Sequence, residues 1–285
     1  MKTIIKYSFK EMLAKKTFFI TIILTLGFLF LYGYGVKEFY KSILHISHPM
    51  KDIFIYSQSS FIMTAGYYFA NMLTAFLVIF AASGIISWDI ENQTIYTIIS
   101  KPIKRYEYVL GRFIGIGTMV FIYSILVFFA ILIINKIFGS PLAFGWDVLL
   151  KSSFLFGLEA ILLLTVATFA SSIFSTINTG IILTMLFGFA LIGGFLEQIG
   201  NILILSGQNG QTLVLTGIIS SLIMPTDTIY RKMSQLMFTT GSVSLIDLNP
   251  FSTISAPSIW MMIYWALYGS VMLFMALRNF SKRDI

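Results

Sequence analysis

Long stretches without a charged residue dominate the pattern of polar and apolar positions. Five of them contain 20, 36, 23, 37 and 30 residues, and they lie between Lys16 and Lys37, Asp52 and Asp89, Arg112 and Lys136, Glu159 and Glu197, and Asp247 and Arg278. A membrane-spanning helix needs about 20 predominantly apolar residues. Outer-membrane barrel strands instead alternate apolar and polar positions over about 10 residues. The pattern therefore predicts an all-α, polytopic integral membrane protein.

Six spans are predicted within a single transmembrane domain, residues 1–285. An amphipathic helix over 1–16, with an apolar face and a lysine every four residues at Lys2, Lys6 and Lys10, precedes them as an interfacial elbow. Such a pattern is also compatible with an ordinary solvated helix. A charged segment, 89–111, separates spans 2 and 3. The spans are predicted at 17–36, 61–88, 113–134, 153–173, 178–196 and 259–277.

The region 197–257 before the last span does not read as a simple loop. Thr212–Met224 is apolar but contains only 13 residues before Pro225. At 1.5 Å per residue this is about 20 Å, which is shorter than the hydrocarbon core. A polar turn over 207–211 connects it to Ile202–Leu205. We therefore predict an extracellular re-entrant helical hairpin, shielded by the other spans.

Basic residues predict the orientation. Lys and Arg are concentrated in short segments on the cytoplasmic side of membrane proteins. Six spans place twelve of the nineteen basic residues on one side, so both termini are predicted to be cytoplasmic; a seven-span arrangement would move three of them outside. The twelve are Lys2, Lys6, Lys10, Lys15, Lys16, Lys101, Lys104, Arg105, Arg112, Arg278, Lys282 and Arg283.

The composition agrees with a membrane protein and argues against several kinds of binding or catalytic site. Hydrophobic residues make up 57% and charged residues 11%, against about 45–50% and 25% in soluble domains. The net charge of +7 comes largely from basic residues that lie beside the predicted spans, so no nucleic-acid partner is predicted. Without cysteine, thiolate chemistry is excluded. His45 and His48 have no third ligand nearby, and no catalytic grouping is evident, so neither a metal site nor a catalytic residue is predicted.

The segment between spans 2 and 3 carries the most specific pattern. Ile95, Ile98 and Ile99 recur at i, i+3 and i+4, which predicts a short helix with one apolar stripe. Pro102 must end that helix. Gly111 permits close backbone approach at the entry to span 3. An exposed apolar stripe on the cytoplasmic side suits either a groove in another protein or the lipid surface.

This segment resembles the intracellular coupling region of type-2 ABC-transporter permeases. That region reads as an acidic residue, Gly/Gln-Thr, a short apolar helix, Ser-x-Pro-[IV]-x-Arg and a Gly-Lys/Arg step into the third span. The resemblance extends over the layout of the whole chain and is specific over about 22 residues. The matching positions are Glu91, Gln93, Thr94, Ile98, Ser100, Pro102, Ile103, Arg105, Gly111 and Arg112.

The resemblance implies a permease that dimerises with a second permease copy, identical or not, and docks on two ABC ATPase subunits. The stripe Ile95, Ile98 and Ile99 would then occupy a groove of the ATPase and couple ATP hydrolysis to export across a bacterial or archaeal cell membrane. This chain has no G-x-x-x-x-G-K-[ST] phosphate loop. We therefore expect it to bind no cofactor and not to be an enzyme itself, with ATP and Mg used by the partner subunit.

Acidic residues inside the apolar runs leave other interpretations open. Glu159 lies within span 4, where a carboxylate belongs either to a translocation path or to a structural hydrogen bond. Glu197 and Asp227 are expected at the solvated outer boundary. Two further functions remain: a membrane scaffold or assembly factor with a different partner, and a stand-alone ion-coupled carrier. Three glycines of span 5 are expected to permit close packing of two spans, with a dimer seam as one location for it: Gly188, Gly193 and Gly194.

Overall fold

Every regular element in the described part of the chain is an α-helix. The computed structural model describes residues 1–43, 51–100, 103–238, 251 and 257–283. The helices, in chain order, are α1 Lys2–Ala14, α2 Lys16–Ile43, α3 Lys51–Ala82, α4 Ser87–Glu91, α5 Thr94–Ile99, α6 Arg105–Ile137, α7 Trp146–Ile173, α8 Thr176–Leu205, α9 Gln211–Ile223, α10 Thr226–Phe238 and α11 Ile259–Lys282.

Six of these helices are long and apolar enough to cross a membrane, which confirms the predicted polytopic, all-helical class. They are the helices α2, α3, α6, α7, α8 and α11. The pair α9–α10 also passes this test when its two helices are taken together, although a bend of 112° separates them. The number of spans is therefore six, or seven if this bent pair crosses as one broken span.

Several helices are longer than the spans predicted within them. Span 3 was expected from residue 113, but α6 begins at Arg105. Span 5 was expected to end at residue 196, but α8 continues to Leu205. The second candidate span, Phe54–Glu91, contains the predicted 61–88 and includes both α3 and α4, with a turn between them after Ala82. Charged and polar residues at the helix ends are helical as well, so hydropathy does not mark where a helix ends.

Helices α3 and α7 form the centre of the bundle, and α2 and α11 lie at its edge. In both central helices 72% of the most apolar stretch is buried, against 22% in α2 and 11% in α11. Aromatic side chains connect the central helices to α6. The Tyr67 ring of α3 stacks on Phe128 of α6, with centroids 4.8 Å apart, and also contacts Phe156 of α7. Such aromatic contacts add to the energy of apolar burial.

The hairpin predicted before the last span has a different first limb. Ile202–Leu205 is the last turn of α8, not a separate segment, and α9 packs back against α8. A Schellman motif ends α8: Gly207 has φ 78°, its N–H donates to the Ile204 carbonyl at 3.0 Å, and the Gln208 N–H donates to the Leu203 carbonyl at 2.8 Å. The chain thus reverses directly at the end of the fifth span.

Helix α10 differs from all the spans because it is polar yet buried. It follows the bend at Pro225 and packs against α7. Proline disfavours helix at the residue before it, and Met224 is accordingly extended. The polar members of α10 that are buried are Thr226, Asp227, Thr228, Arg231 and Ser234. A buried polar helix needs internal partners, and these define one of the two candidate sites described below.

Contacts bring the described basic segments to one end of the bundle. The Arg105 guanidinium donates to the backbone carbonyl of Arg283 at 2.6 Å, so the start of α6 lies beside the end of α11. Arg283 in turn donates to the Ser172 carbonyl at 2.9 Å, at the end of α7. Helix α1 lies along the first turns of α6, where a Cβ on Gly115 would stand 2.8 Å from the Ile5 carbonyl oxygen.

Candidate functional site

A buried ionic group fastens the segment after α3 to α1 and α6. Asp89 accepts hydrogen bonds from the Arg112 guanidinium and the Tyr108 hydroxyl, and Arg112 also donates to Glu11. Glu11 pairs with Lys15 at 3.3 Å. We call these five residues the Asp89 cluster. Arg112 is only 3% exposed, and two carboxylates face two cations, so the charges are balanced where an unpaired one would be costly.

The local sequence accounts for this geometry only in part. Tyr108 and Arg112 are four residues apart and therefore share one face of α6. Gly111 lies between them, and a Cβ there would stand 2.8 Å from the side chain of Ile4, so its small size brings α1 close. Sequence reasoning selected Gly111 and Arg112 but missed Asp89, Tyr108 and Glu11. Arg112 borders a run of 23 uncharged residues. That position was the available indication that Arg112 pairs with a carboxylate, although it does not say which one.

Glu91 and its neighbours attach α4 to the turn between α7 and α8. The Thr176 N–H, at the start of α8, donates to the Glu91 carboxylate at 2.7 Å. A carboxylate there also suits the positive end of the helix dipole. The Ser87 and Thr176 hydroxyls lie 2.9 Å apart, and the N–H groups of Ile86 and Ser87 donate to the Ser171 hydroxyl at 3.1 and 3.0 Å. Helix α4 and the residue before it are therefore hydrogen-bonded to the end of α7 and the start of α8.

The predicted apolar stripe on α5 needs correction at its first residue. Ile95 is fully buried within its own chain, so it cannot contact a partner. The side chains of Ile98 and Ile99, together with Pro102, lie outside the described residues. Among the described side chains of α5, Tyr96 is large and exposed, at 56% exposure. The period of three isoleucines located the helix correctly but could not tell which face would turn inward.

The turn into α5 is conformationally special. Gln93 has φ 59°, and it is the only non-glycine residue with positive φ in the described chain. This left-handed region costs most residues roughly 1–2 kcal/mol, and glycine avoids that cost. The next residue, Thr94, donates its hydroxyl to Asp89 at 2.9 Å. At the other end of α5 the Ser100 hydroxyl donates to the Thr97 carbonyl at 3.0 Å.

The remaining predicted positions connect to the C-terminal tail. Arg105 donates to the carbonyls of Arg283 and Ser281 rather than remaining free at the lipid headgroups. Phe280 stacks on Tyr108 with ring centroids 5.5 Å apart. Ile103 is half-buried. The segment from Glu91 to Arg112 is thus bonded to α1, to the α7–α8 turn and to the end of α11.

A second candidate site lies inside the bundle around Glu159. Its carboxylate accepts a hydrogen bond from the Asn71 side chain at 2.6 Å, and the residue is 3% exposed. Its other oxygen, Oε2, has no hydrogen-bond partner among the described residues. The structural pairing expected for this residue is therefore present but incomplete. The prediction of a translocation role is left untested.

Arg231 joins three helices at a buried charged group. It bonds to Glu197 of α8, to Asp227 at 2.7 Å from its Nε, and to the Ser221 hydroxyl of α9 at 3.2 Å. The expectation that Glu197 and Asp227 are solvated at the outer boundary is wrong, since both are buried. The spacing of four between Asp227 and Arg231 was a readable signal. Glu197 could not be inferred, because its contact depends on the fold of α9.

The glycines of α8 divide between two environments. A Cβ on Gly193 would collide with Ser220 of α9, and one on Gly194 would collide with Asp227 of α10. These two glycines therefore serve packing within the chain rather than at a dimer seam. Around Gly188 the space is open to 4 Å.

Two tyrosines connect the charged group of Arg231 with Glu159. Tyr68 of α3 and Tyr230 of α10 form an edge-to-face pair with centroids 5.6 Å apart. Both rings lie within electrostatic reach of both Glu159 and Asp227. Tyr230 donates its hydroxyl to the Thr64 carbonyl at 3.0 Å. A polar region thus extends across α3, α7, α8 and α10 in a part of the molecule that is otherwise apolar.

A scan against models of known protein families finds no match to this chain, and a search of curated proteins finds none either. Among the described residues no group of three or more His, Cys, Asp or Glu side chains is placed to hold a metal ion. The two sites therefore have to be interpreted from their own geometry.

Proposed function

We propose that this chain is the membrane-spanning permease subunit of an ATP-driven ABC exporter. The supporting observation is the attachment of α4 and α5 to the bundle by the Asp89 cluster on one side and by Glu91 on the other. A docking helix must be held rigidly if movement of its partner is to reach the spans. These bonds provide that rigidity, together with the sequence resemblance of Glu91–Arg112.

In this proposal the end of the bundle that carries α1, α5 and the tail faces the cytoplasm. Helix α1 lies in the membrane interface, and α9–α10 re-enters from the outside. Two permease copies dock on two ATPase subunits, which bind and hydrolyse ATP with Mg. The contact surface on α5 is centred on Tyr96, since Ile95 is buried. Closure of the ATPases then moves α5 and, through Asp89 and Glu91, the ends of α6, α7 and α8.

Charged substitution of an exposed residue on α5 tests the proposal. The permease is co-expressed with the ATPase encoded beside it, and co-purification and ATP-dependent transport are measured. We expect Tyr96→Asp to weaken the complex about 30-fold, as for an interface residue worth about 2 kcal/mol. Trp146→Asp is the matched control, because Trp146 is 77% exposed at the opposite end.

Ile95→Asp separates docking from folding. Because Ile95 is buried, this variant should lose its fold rather than only its partner. If Tyr96→Asp keeps both the complex and ATP-dependent transport, the coupling role of α5 is wrong. If it loses the partner while the purified permease remains monodisperse and folded, the proposal is supported.

A second candidate function, a gradient-driven carrier that works alone, gains support from the interior polar region. Glu159 has an oxygen without a partner, and Asp227, Glu197 and Arg231 lie on neighbouring helices. Buried ionisable residues of this kind mark ion paths in other transporters. Flux measurements in proteoliposomes without any ATPase distinguish the two functions. Proton- or cation-driven flux that Glu159→Gln abolishes would favour the carrier, and absence of any such flux would favour the ATP-driven permease.

A further inference from the structure

An apolar groove runs between α2 and α6 and ends beneath α1. Its volume is about 410 Å³, within the range of roughly 300–1,000 Å³ that ligand sites occupy. Aliphatic and aromatic side chains form nearly the whole wall, including Leu13 of α1, Leu26 of α2, and Ile122 and Leu126 of α6. Leu126 is among the most exposed residues of α6. The groove is therefore open toward the lipid rather than closed by the chain itself.

The two hydroxyl groups in the wall are already bonded to each other. Thr25 and Tyr123 lie 2.5 Å apart, and Thr25 also donates to the Thr21 carbonyl at 2.7 Å. No further polar side chain lines the groove among the described residues. Both hydroxyl protons are therefore engaged, and a ligand that enters the groove would find no free hydroxyl donor. The wall thus suits hydrocarbon and disfavours a polar molecule.

The length of the groove matches one leaflet of the bilayer. Along α2 it extends from Phe18, at the start of the first span, to Leu29, a separation of about 17 Å at 1.5 Å per residue. Half of a hydrocarbon core of about 30 Å is about 15 Å. An acyl chain that begins at the α1 end of the groove would therefore finish near the middle of the membrane.

Three lysines are near neighbours, along α1 and α2, of residues in the wall at the α1 end of the groove. Lys6 and Lys10 precede the wall residues Phe9 and Leu13 by three positions, and residues three apart on a helix are surface neighbours. Lys16 begins α2, two residues before wall residue Phe18. All three lysines are exposed, and none forms an ion pair within the described chain. By contrast, the acidic neighbour Glu11 is already bonded to Arg112 and Lys15.

We propose that this groove holds one acyl chain of an anionic glycerophospholipid whose headgroup phosphate is bound by Lys6, Lys10 and Lys16. The positive charge of the three lysines suits the headgroup phosphate of the lipid, and the apolar wall suits its acyl chain. A bound lipid would fill the space between α2 and α6 and fix α1 against the bundle. Because α1 also carries Glu11 of the Asp89 cluster, such a lipid would stabilise the segment that holds α5.

Native mass spectrometry of the full chain in detergent tests this site. Phosphatidylglycerol and phosphatidylcholine with identical acyl chains are titrated separately, and the dissociation constant of the first bound lipid is compared. One lysine near an anionic lipid changes affinity by about fivefold, so three predict a preference of about 100-fold for phosphatidylglycerol. The combined variant Lys6→Gln, Lys10→Gln and Lys16→Gln should remove that preference.

Matched controls distinguish a built site from general contact with lipid. Lys37→Gln, Lys41→Gln and Lys151→Gln together remove the same charge from exposed positions at the other end and should keep the preference. Ala130→Trp fills the groove and should weaken binding of both lipids at least tenfold, whereas Ala266→Trp on the exposed face of α11 should not.

Two results would overturn the proposal. If both triple lysine variants lose the preference for phosphatidylglycerol equally, only net charge matters. If Ala130→Trp binds both lipids as tightly as the unchanged protein, the acyl chain lies elsewhere. The substituted lysines are exposed, so the triple variant should fold and tests headgroup binding even if Ala130→Trp does not fold.

Discussion

Removing the Arg112 guanidinium should destabilise the protein more than any change of an exposed charge. In Arg112→Met the carboxylates of Asp89 and Glu11 keep only Lys15 as a cation, and Asp89 keeps the Tyr108 and Thr94 hydroxyls but loses the guanidinium that pairs with it. Breaking a buried ion pair by removing one partner costs about 3–5 kcal/mol. At about 2–4 °C per kcal/mol, the midpoint of thermal unfolding should fall by roughly 6–20 °C.

The assay is thermal unfolding of purified protein in one detergent at one scan rate, followed by intrinsic fluorescence. Arg278→Met is the matched control, because Arg278 is exposed on α11, and surface changes usually stay within about 0.5 kcal/mol.

A double variant tests the pairing itself. Adding Asp89→Asn to Arg112→Met removes the uncompensated carboxylate, so part of the lost stability should return, as expected for residues in contact. If Arg112→Met unfolds at the same temperature as Arg278→Met, the Asp89 cluster is not assembled in the folded protein, and the attachment of α5 to the spans is refuted.

Two further substitutions test the neighbouring geometry. Gln93→Gly should raise the free energy of unfolding by roughly 1 kcal/mol, since glycine accepts φ 59° without steric cost. Chemical denaturation measures this change, and a loss of stability would mean that the turn is not left-handed. Gly115→Leu should lower the free energy of unfolding by about 1–3 kcal/mol and expose α1 to proteolysis, because the leucine side chain would collide with Ile5 and Ser8. If α1 stays equally protected from proteolysis, the close packing of α1 on α6 is contradicted.

Much of the fold could be predicted from the sequence because the bilayer imposes a simple rule on it. Each charge-free run had to cross as helix, and six candidate spans are present. Helix ends such as Arg105 and Leu205 could not be placed, since hydropathy changes at the membrane surface whereas backbone hydrogen bonding continues past it.

The candidate sites were only partly predictable because their partners are distant in the chain. The sequence located Glu91 and Arg112, but the carboxylates that meet Arg112 lie 23 and 101 positions away. Likewise Glu197 lies 34 positions from Arg231. The spacing of Ile95, Ile98 and Ile99 indicated an apolar stripe but held no information on whether the chain would cover it. The structure buries Ile95 and leaves Tyr96 and Thr97 exposed among the side chains of α5 that it describes.

The most direct test of the coupling proposal is the accessibility of one introduced cysteine. The chain has no cysteine of its own, so Tyr96→Cys gives a single reactive thiol, and Trp146→Cys provides the control at the opposite end. We predict that a membrane-impermeant thiol reagent labels Tyr96→Cys only in inverted vesicles, that the bound ATPase protects it, and that Trp146→Cys reacts only from the outside. Labelling of Tyr96→Cys from the outside, or equal labelling with and without the ATPase, would contradict the proposal that α5 docks on a cytoplasmic motor.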